Sequence, residues 1–454
     1  MTTPAAVAEE ERTLFAWVEA TCDGRIVKTT QTSGGNRARS WAVDVERPDG
    51  GVAEVFLRYS LPRPPSVEPY TTHREAQVYR AIAGAGLRAP RLIAEHPTIA
   101  AILTDRAHGI AEFRRLKDEA AKTRIATEFM GELARLHAMD ARDVRLDAGV
   151  VSPRIADHVR AEVDTWRAMY AETGVRDPLI EFAFGWLEEN APDPDGPPVL
   201  AHGDAGPGNF LFEGDRLTAV IDWELAHLGD PMGDLAWFSM RCVMEPVPDF
   251  AAALRAYAEA SGRPLDRARI LYHRVLVSAR VVVIRHRNVT GEPGNAIVSR
   301  ALNRRLLVQA LADASGCAVE LPHLPAPPST ARDGLFSHVL DDLRDVVAAR
   351  SQDRAVIAAA KNASKVLKYL QACDRYGAGV EMAEMEALSG LLGARPADVE
   401  AGRLALADAL AKGEVPFEQA LAFFALQTAG EGLLAADASG GIAARRYPPL
   451  EFET

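Results

Sequence analysis

The chain has 454 residues, with 63 Asp and Glu against 51 Lys and Arg, a formal charge of −12. That acidity argues against a life on phosphate backbones, because non-specific nucleic-acid affinity comes from Lys and Arg displacing counterions. A hydrophobic content of 48% with 25% charged residues is that of a globular chain rather than a disordered one, and its length suits two or three domains.

The N-terminus reads MTTPAAVAEEERTLF, with acids where a secretory signal carries basic residues and an apolar core. The first hundred residues then alternate in a strand-like way. Two β-rich runs, Trp41–Val45 and Val52–Tyr59, flank Arg47-Pro-Asp-Gly-Gly51, whose turn formers predict a hairpin. Ala76, Tyr79, Ile82 and Ala83 recur at helical spacing between residues 70 and 85, with Gly84 and Gly86 as the stop. Ala100–Leu103 is a third short apolar run. Beyond Gly109 the pattern becomes helical, and Phe129, Met130, Leu133 and Leu136 form one stripe over 125–137. Short strands return over 199–212 and 217–223, and helices resume from Asp234. The Pro-rich stretch Leu321–Pro328 breaks all periodicity and reads as a stiff linker. After it, Leu335, Val339, Leu343 and Val346 open an amphipathic helix, with further helices over 356–370 and 401–410. The expected division is therefore 1–105, 106–320, a linker over 321–333 and an all-helical module over 334–454.

Cys22, Cys242, Cys317 and Cys373 are scattered, without zinc-ligand spacing, so the expected setting is a reducing cytoplasm. Val275–Ile284, the longest apolar stretch, is interrupted by Arg280 and too short to span a bilayer. Neither a membrane nor a nucleic acid is an expected partner.

The segment Val199–Trp237 carries the chemistry. It presents His202-Gly-Asp204, Asn209 five residues after that aspartate, and Asp222 after the apolar run Leu217–Ile221. Phosphoryl transfer needs a base or positioner for the attacking hydroxyl and oxygen ligands that hold magnesium against phosphates. Asp204 suits the first role, and Asn209 and Asp222 suit the second. On a strand, Asp222 and Glu224 would share a face, which would let Glu224 join or orient the metal shell. Singly, such residues in turns commonly do no more than cap backbone groups. The ordered set, followed by Gly229-Asp230-Pro231 and Asp234-Leu-Ala-Trp237, is far more specific.

This segment is similar to the catalytic core of the aminoglycoside phosphotransferase-like (APH) kinase family, and especially to the branch of kinase domains fused to acyl-CoA dehydrogenases; the resemblance runs from about Thr30 to Ala312. It implies an α+β, bilobal protein-kinase-like fold, here followed by an all-α domain, that uses ATP and Mg2+. In that family the residue matching Asp204 is the catalytic base, and those matching Asn209 and Asp222 bind magnesium. His202, Glu224, Asp230 and Asp234 are then supporting residues. Ser33, Gly34 and Gly35 resemble the loop over the ATP phosphates, where missing Cβ atoms permit close anion approach. Arg58 stands where kinases usually place the ATP-phosphate lysine, with a planar fork in place of a point charge. Glu75 matches its helix partner. Residues 101–106, with Leu103 among them, match the hinge that reads the adenine edge. His137 reads as a packed histidine.

Residues 267–305 hold nine arginines and one acid, Glu292, a local balance of +8. Arg280 and Arg285 are its candidates for holding a phosphate-bearing substrate such as a coenzyme A ester; the competing reading pairs these arginines with acids on neighbouring helices or with the C-terminal module. The expected function is ATP-dependent phosphorylation of a small-molecule hydroxyl, with a hydroxyacyl-CoA favoured over an aminoglycoside. A non-catalytic nucleotide-binding protein is the rival class, set against competent residues at 204, 209 and 222. The helical tail is expected to pack on the kinase or to mediate self-association as a homo-oligomer.

Overall fold

The structure, a computed structural model, describes residues 4–32, 38–61, 65–146, 151–287, 293–319, 329–330 and 332–452. The expected phosphate loop at Ser33, Gly34 and Gly35 and the Pro-rich stretch 321–328 lie outside these residues. The chain divides into two compact units, one of residues 1–161, 193–267 and 449–454 and one of residues 162–192 and 268–448. Both depart from the expected boundaries, because segments on either side of residues 193–267 group with the C-terminal helices.

In the first unit, α1 (Pro4–Cys22) precedes β1 (Arg25–Thr32), β2 (Ala38–Glu46) and β3 (Val52–Ser60); α2 (Thr72–Ile82), β4 (Leu92–Glu95) and β5 (Ala101–Asp105) follow. The strands form one antiparallel sheet in the order β1-β2-β3-β5-β4. The predicted hairpin joins β2 to β3, closed by Arg47 N donating to Gly51 O at 2.8 Å. Because successive side chains on a strand face opposite ways, Val43, Val45, Val55, Leu57 and Tyr59 all enter one core. Leu14 and Val18, four residues apart on α1, cover that core, and Phe15 packs edge-on against Trp41 at 5.4 Å. The strand-like reading of the N-terminus passed over α1, whose Ala- and Glu-rich sequence favours a helix. Arg58, being out of phase with Leu57 and Tyr59, projects from the other face of the sheet.

The helical part begins with α3 (Glu119–His137), α4 (Ile155–Ala171) and α5 (Pro178–Glu189). Asp118 caps α3 by accepting from Ala120 N and Ala121 N, and the stripe of Phe129, Met130, Leu133 and Leu136 is buried. Next come β6 (Val199–Ala201), β7 (Phe210–Glu213), β8 (Arg216–Val220), β9 (His227–Gly229), α6 (Pro231–Met244) and α7 (Phe250–Ser261). β7 pairs with β8 and β6 with β9, both antiparallel. The remaining helices are α8 (Arg267–Arg287), α9 (Pro293–Ser315), α10 (Asp333–Asp341, continued by a π-helical stretch to Ala348), α11 (Arg354–Leu392), α12 (Val399–Ala411) and α13 (Phe417–Ser439). In the second unit Phe182 of α5 lies 5.1 Å from both Phe417 and Phe424 of α13. No helix among the described residues is long and apolar enough to cross a membrane. The architecture is α+β.

Candidate active site

β6 delivers the His202-Gly-Asp204 loop, and α6 anchors it. Asp234, fully buried in the first turn of α6, accepts from His202 N at 2.7 Å, from Gly203 N at 2.9 Å and from His137 Nε2 at 3.0 Å. Its carboxylate can only accept, so His137 donates through Nε2, while its Nδ1 is hydrogen-bonded to the Tyr257 hydroxyl at 2.8 Å. Burial pushes the Asp234 carboxyl up, but His137 and His202 together outweigh it and the group stays below its usual range. Asp230 caps α6, accepting from Met232 N at 2.8 Å. His202 donates Nε2–H to the Ile221 carbonyl at 3.0 Å and lies 4.7 Å from the Trp223 ring. Gly203 has φ +79, and a Cβ there would overlap the Leu225 carbonyl oxygen. The loop therefore requires glycine at that position on two grounds.

Asp204 follows. Its Oδ1 accepts from Arg241 Nε at 2.8 Å, and its Oδ2 pairs with Arg241 Nη2, a two-pronged bond to a helix residue that the sequence reading did not single out. Asp234 and Arg241 are seven residues apart, nearly two turns of α6, so they share a face. That spacing, with an arginine in an otherwise apolar helix, was the available signal. Burial pushes the Arg241 guanidinium down, and the surrounding carboxylates, Asp204 foremost, together outweigh it, leaving it above its usual range. Asn209 Nδ2 donates to the Asp204 carbonyl at 2.8 Å, and Asn209 O accepts from Ile221 N at 3.0 Å. These bonds tie the loop to the chain just before Asp222.

The strand expected to carry both Asp222 and Glu224 ends at Val220. Asp222 instead has φ +65 and ψ +62, and a 3-10 turn, Trp223–Leu225, follows it. A non-glycine residue in this region stores backbone strain of order 1–3 kcal/mol, a pattern concentrated at functional sites. The kink replaces the same-face geometry of a strand and still brings both carboxylates to one cation: Arg58 Nη1 lies 2.9 Å from Asp222 Oδ1, Nη2 pairs with Glu224, and Nε lies 3.4 Å from Glu75 Oε2. Burial pushes Arg58 down, but the three carboxylates outweigh it and hold it well above its usual range. Asp222 is pushed up by burial, and its cationic neighbours, Arg58 foremost, together bring it below its usual range. Glu75, buried in the first turn of α2, is raised to about 7, chiefly by burial and against the pull of Arg58.

Leu103 is fully buried in the sheet core and pairs with Leu57 on one side and Ala94 on the other, which leaves any hinge contact of residues 101–106 to backbone groups. One expectation needs correcting. Arg280, 2% exposed, pairs with Glu162 and stacks 4.9 Å over the Trp166 ring. Both partners belong to the same unit as Arg280, and a cation held this way is not a phosphate-binding surface. Arg274, 4.8 Å over the Tyr447 ring, and Arg304, joined to Asp177, Glu431 and Gln427, are likewise engaged internally. Arg285 is exposed on α8, in the second unit, whereas Asp204 is in the first.

The profile of the phosphotransferase enzyme family, APH, matches residues 28–271, more than half of the chain. The chain belongs to that family. This APH member is 32% identical to human acyl-CoA dehydrogenase family member 11 over 124 residues, 27% of this chain and 16% of that protein. It is 29% identical to the probable acyl-CoA dehydrogenase IBR3 of Arabidopsis thaliana over 168 residues, 30% of this chain and 20% of that one. The chain thus spans about a fifth or less of the curated relatives it matches. Its fold is similar to that of a Ralstonia eutropha protein assigned to the aminoglycoside phosphotransferases, with a TM-score of 0.53 and 19% identity, covering 68% of this chain and 99% of that one. This member of the phosphotransferase enzyme family has the kinase-like fold.

Proposed function

We propose that this phosphotransferase moves the γ-phosphoryl group of ATP, with magnesium, to a hydroxyl of a small molecule. The observation that carries the reading is the meeting of Arg58, from the sheet, with Glu75, Asp222 and Glu224, on a chain segment tied through Asn209 to Asp204. One guanidinium facing three carboxylates leaves a surplus of negative charge, which suits a hard divalent cation. Among the described residues no three His, Cys, Asp or Glu side chains are grouped to hold a metal unaided. Asp222 and Asn209 would hold magnesium together with phosphate oxygens, in keeping with its habit of taking few protein ligands. Magnesium, when bound, neutralises charge on the phosphates. Arg58 would meet phosphate oxygens, and Asp204 would orient the acceptor hydroxyl and take its proton as the new O–P bond forms and the bridging P–O bond breaks.

The favoured acceptor is a hydroxyacyl-CoA or a related hydroxyl compound, since the relatives matched over the catalytic segment are named as acyl-CoA dehydrogenases. Arg280 no longer contributes to that choice. An aminoglycoside acceptor has only the likeness of fold behind it. The setting is cytoplasmic in this reading, supported by four free cysteines. Self-association through the C-terminal helices is supported by the exposed Leu335, Val339 and Val346.

The test is Asp204→Asn. It should keep the thermal stabilisation that ATP and magnesium give while turnover of a hydroxyacyl-CoA panel falls roughly 10²–10⁴-fold. Full turnover in that variant refutes the assignment, and ATP stabilisation with no transfer to any hydroxyl in the wild type favours the non-catalytic class.

A further inference from the structure

We propose that Arg241 is a positioning residue that sets the rotamer of Asp204 and so the line of attack of the acceptor hydroxyl. The inference rests on the reading of Asp204 given above. Three features carry it. The first is the two-pronged bond, Nε to Oδ1 at 2.8 Å and Nη2 to Oδ2, a planar match that fixes the carboxylate about its last torsion. The second is the shape of the loop beyond Asp204. Gly206 has φ +140, and a Cβ there would lie 2.7 Å from Arg241 Cβ; one at Gly208 would lie 3.5 Å from Arg241 Nη1. The loop is cut to pass around the arginine stem. The third is the shared helix: Asp234 grips the backbone of residues 202 and 203, and Arg241, two turns on, grips the side chain of residue 204.

An ionised carboxylate has about four lone-pair sites, so two bonds to Arg241 leave room for the hydroxyl. Arg241 neither gives nor takes a proton. In the step, the hydroxyl oxygen forms its bond to the γ-phosphorus, the bridging P–O bond breaks with its electron pair going to ADP, and the hydroxyl proton moves to Asp204. Arg241 holds Asp204 still until then. A misplacement of about 1 Å at a reacting group lowers rate by about 10²-fold.

The experiment compares Arg241→Met, which keeps the stem volume, Arg241→Lys and Asp204→Asn in the full chain. Probes are ATP with magnesium and a hydroxyacyl-CoA, with hydrolysis of ATP by water as the acceptor-free readout. Arg241→Met should lower kcat about 10²-fold with KM for ATP within about twofold. Transfer to the hydroxyacyl-CoA should fall further than hydrolysis of ATP by water, because a small water molecule depends less on a fixed line of attack. A merely structural residue would lower both rates together. Arg241→Lys should recover only part of the loss, since a point charge cannot make the two-pronged bond. Wild-type kcat in Arg241→Met beside an inactive Asp204→Asn overturns this proposal and leaves the base assignment standing. An active Asp204→Asn overturns the base assignment itself. Should the methionine variant not fold, wild-type kcat in Arg241→Lys overturns the proposal equally.

Discussion

Arg58 concentrates the electrostatics of the site. It faces Asp222, Glu224 and Glu75, and of these Glu75 is the group with a titration raised to about 7. The sign follows from linkage. The native chain holds a proton that the unfolded chain releases near its ordinary value of 4.5, so the native form binds more protons across that window and stability falls as pH rises from about 4.5 to about 7. Glu75→Gln should flatten this slope, as read from the melting temperature against pH without nucleotide. Parallel slopes for the two proteins would contradict the burial of an acid at this position. The meetings of Arg58 with Glu75 and Asp222, and of Asn209 with Asp204, lie at positions the sequence motif and the family resemblance had singled out. Arg241 was not singled out, since its role exists only once a helix lays it across the loop. Arg280 misled for the opposite reason: a run of arginines looks like an anion site until Glu162 and Trp166 are seen to enclose one of them.

At the level of elements, pattern and period located most of the pieces and misjudged their ends. Strands β2 and β3 fall on the predicted runs because each has one buried face, which makes alternation visible. The helix expected over 356–370 instead runs through Leu392 as α11, straight past Gly377 and Gly379. Each such glycine costs about 1 kcal/mol relative to alanine. Partners elsewhere in the second unit outweigh that: Glu384 of α11 accepts from Arg403 at 2.6 and 2.8 Å and from Gln427 at 2.8 Å. The kink at Asp222 was invisible for a related reason, since nothing in Leu217–Trp223 breaks the β pattern before it. Comparing the β7–β8 turn with the His202-Gly-Asp204 loop gives a sharper test of local geometry. Gly214→Ala, with φ +58 and nothing near its missing Cβ, should cost about 1–2 kcal/mol from the left-handed backbone alone. Gly203→Ala adds the overlap with the Leu225 carbonyl, and thermal melts should show it clearly the more destabilised, with kcat reduced as well. Equal melting shifts would mean that the loop relaxes freely around residue 203.

On the scale of the whole molecule, the −12 total hid a division of labour. Residues 334–454 hold 12 basic and 17 acidic residues, a balance of −5, while the +8 run of 267–305 supplies Arg280 and Arg304 to buried ion pairs within the second unit. That unit is drawn from two stretches, 162–192 and 268–448, so its core cannot be cut at the Pro-rich segment. A chain ending at Pro328 would strip Phe182 of Phe417 and Phe424, and Arg304 of Glu431 and Gln427. Such a chain should be poorly soluble and melt lower than the full protein, as judged by size-exclusion chromatography and thermal denaturation; a well-behaved truncated kinase of unchanged melting temperature would contradict that dependence. The same interleaving sets a clock. Phe182 and Phe417 lie 235 positions apart in the chain, and at about 5–20 residues per second a ribosome needs roughly 12–47 s to travel between them. For that interval α5 has left the ribosome without its aromatic partners on α13, and its apolar face is in the care of whatever chaperones the nascent chain meets.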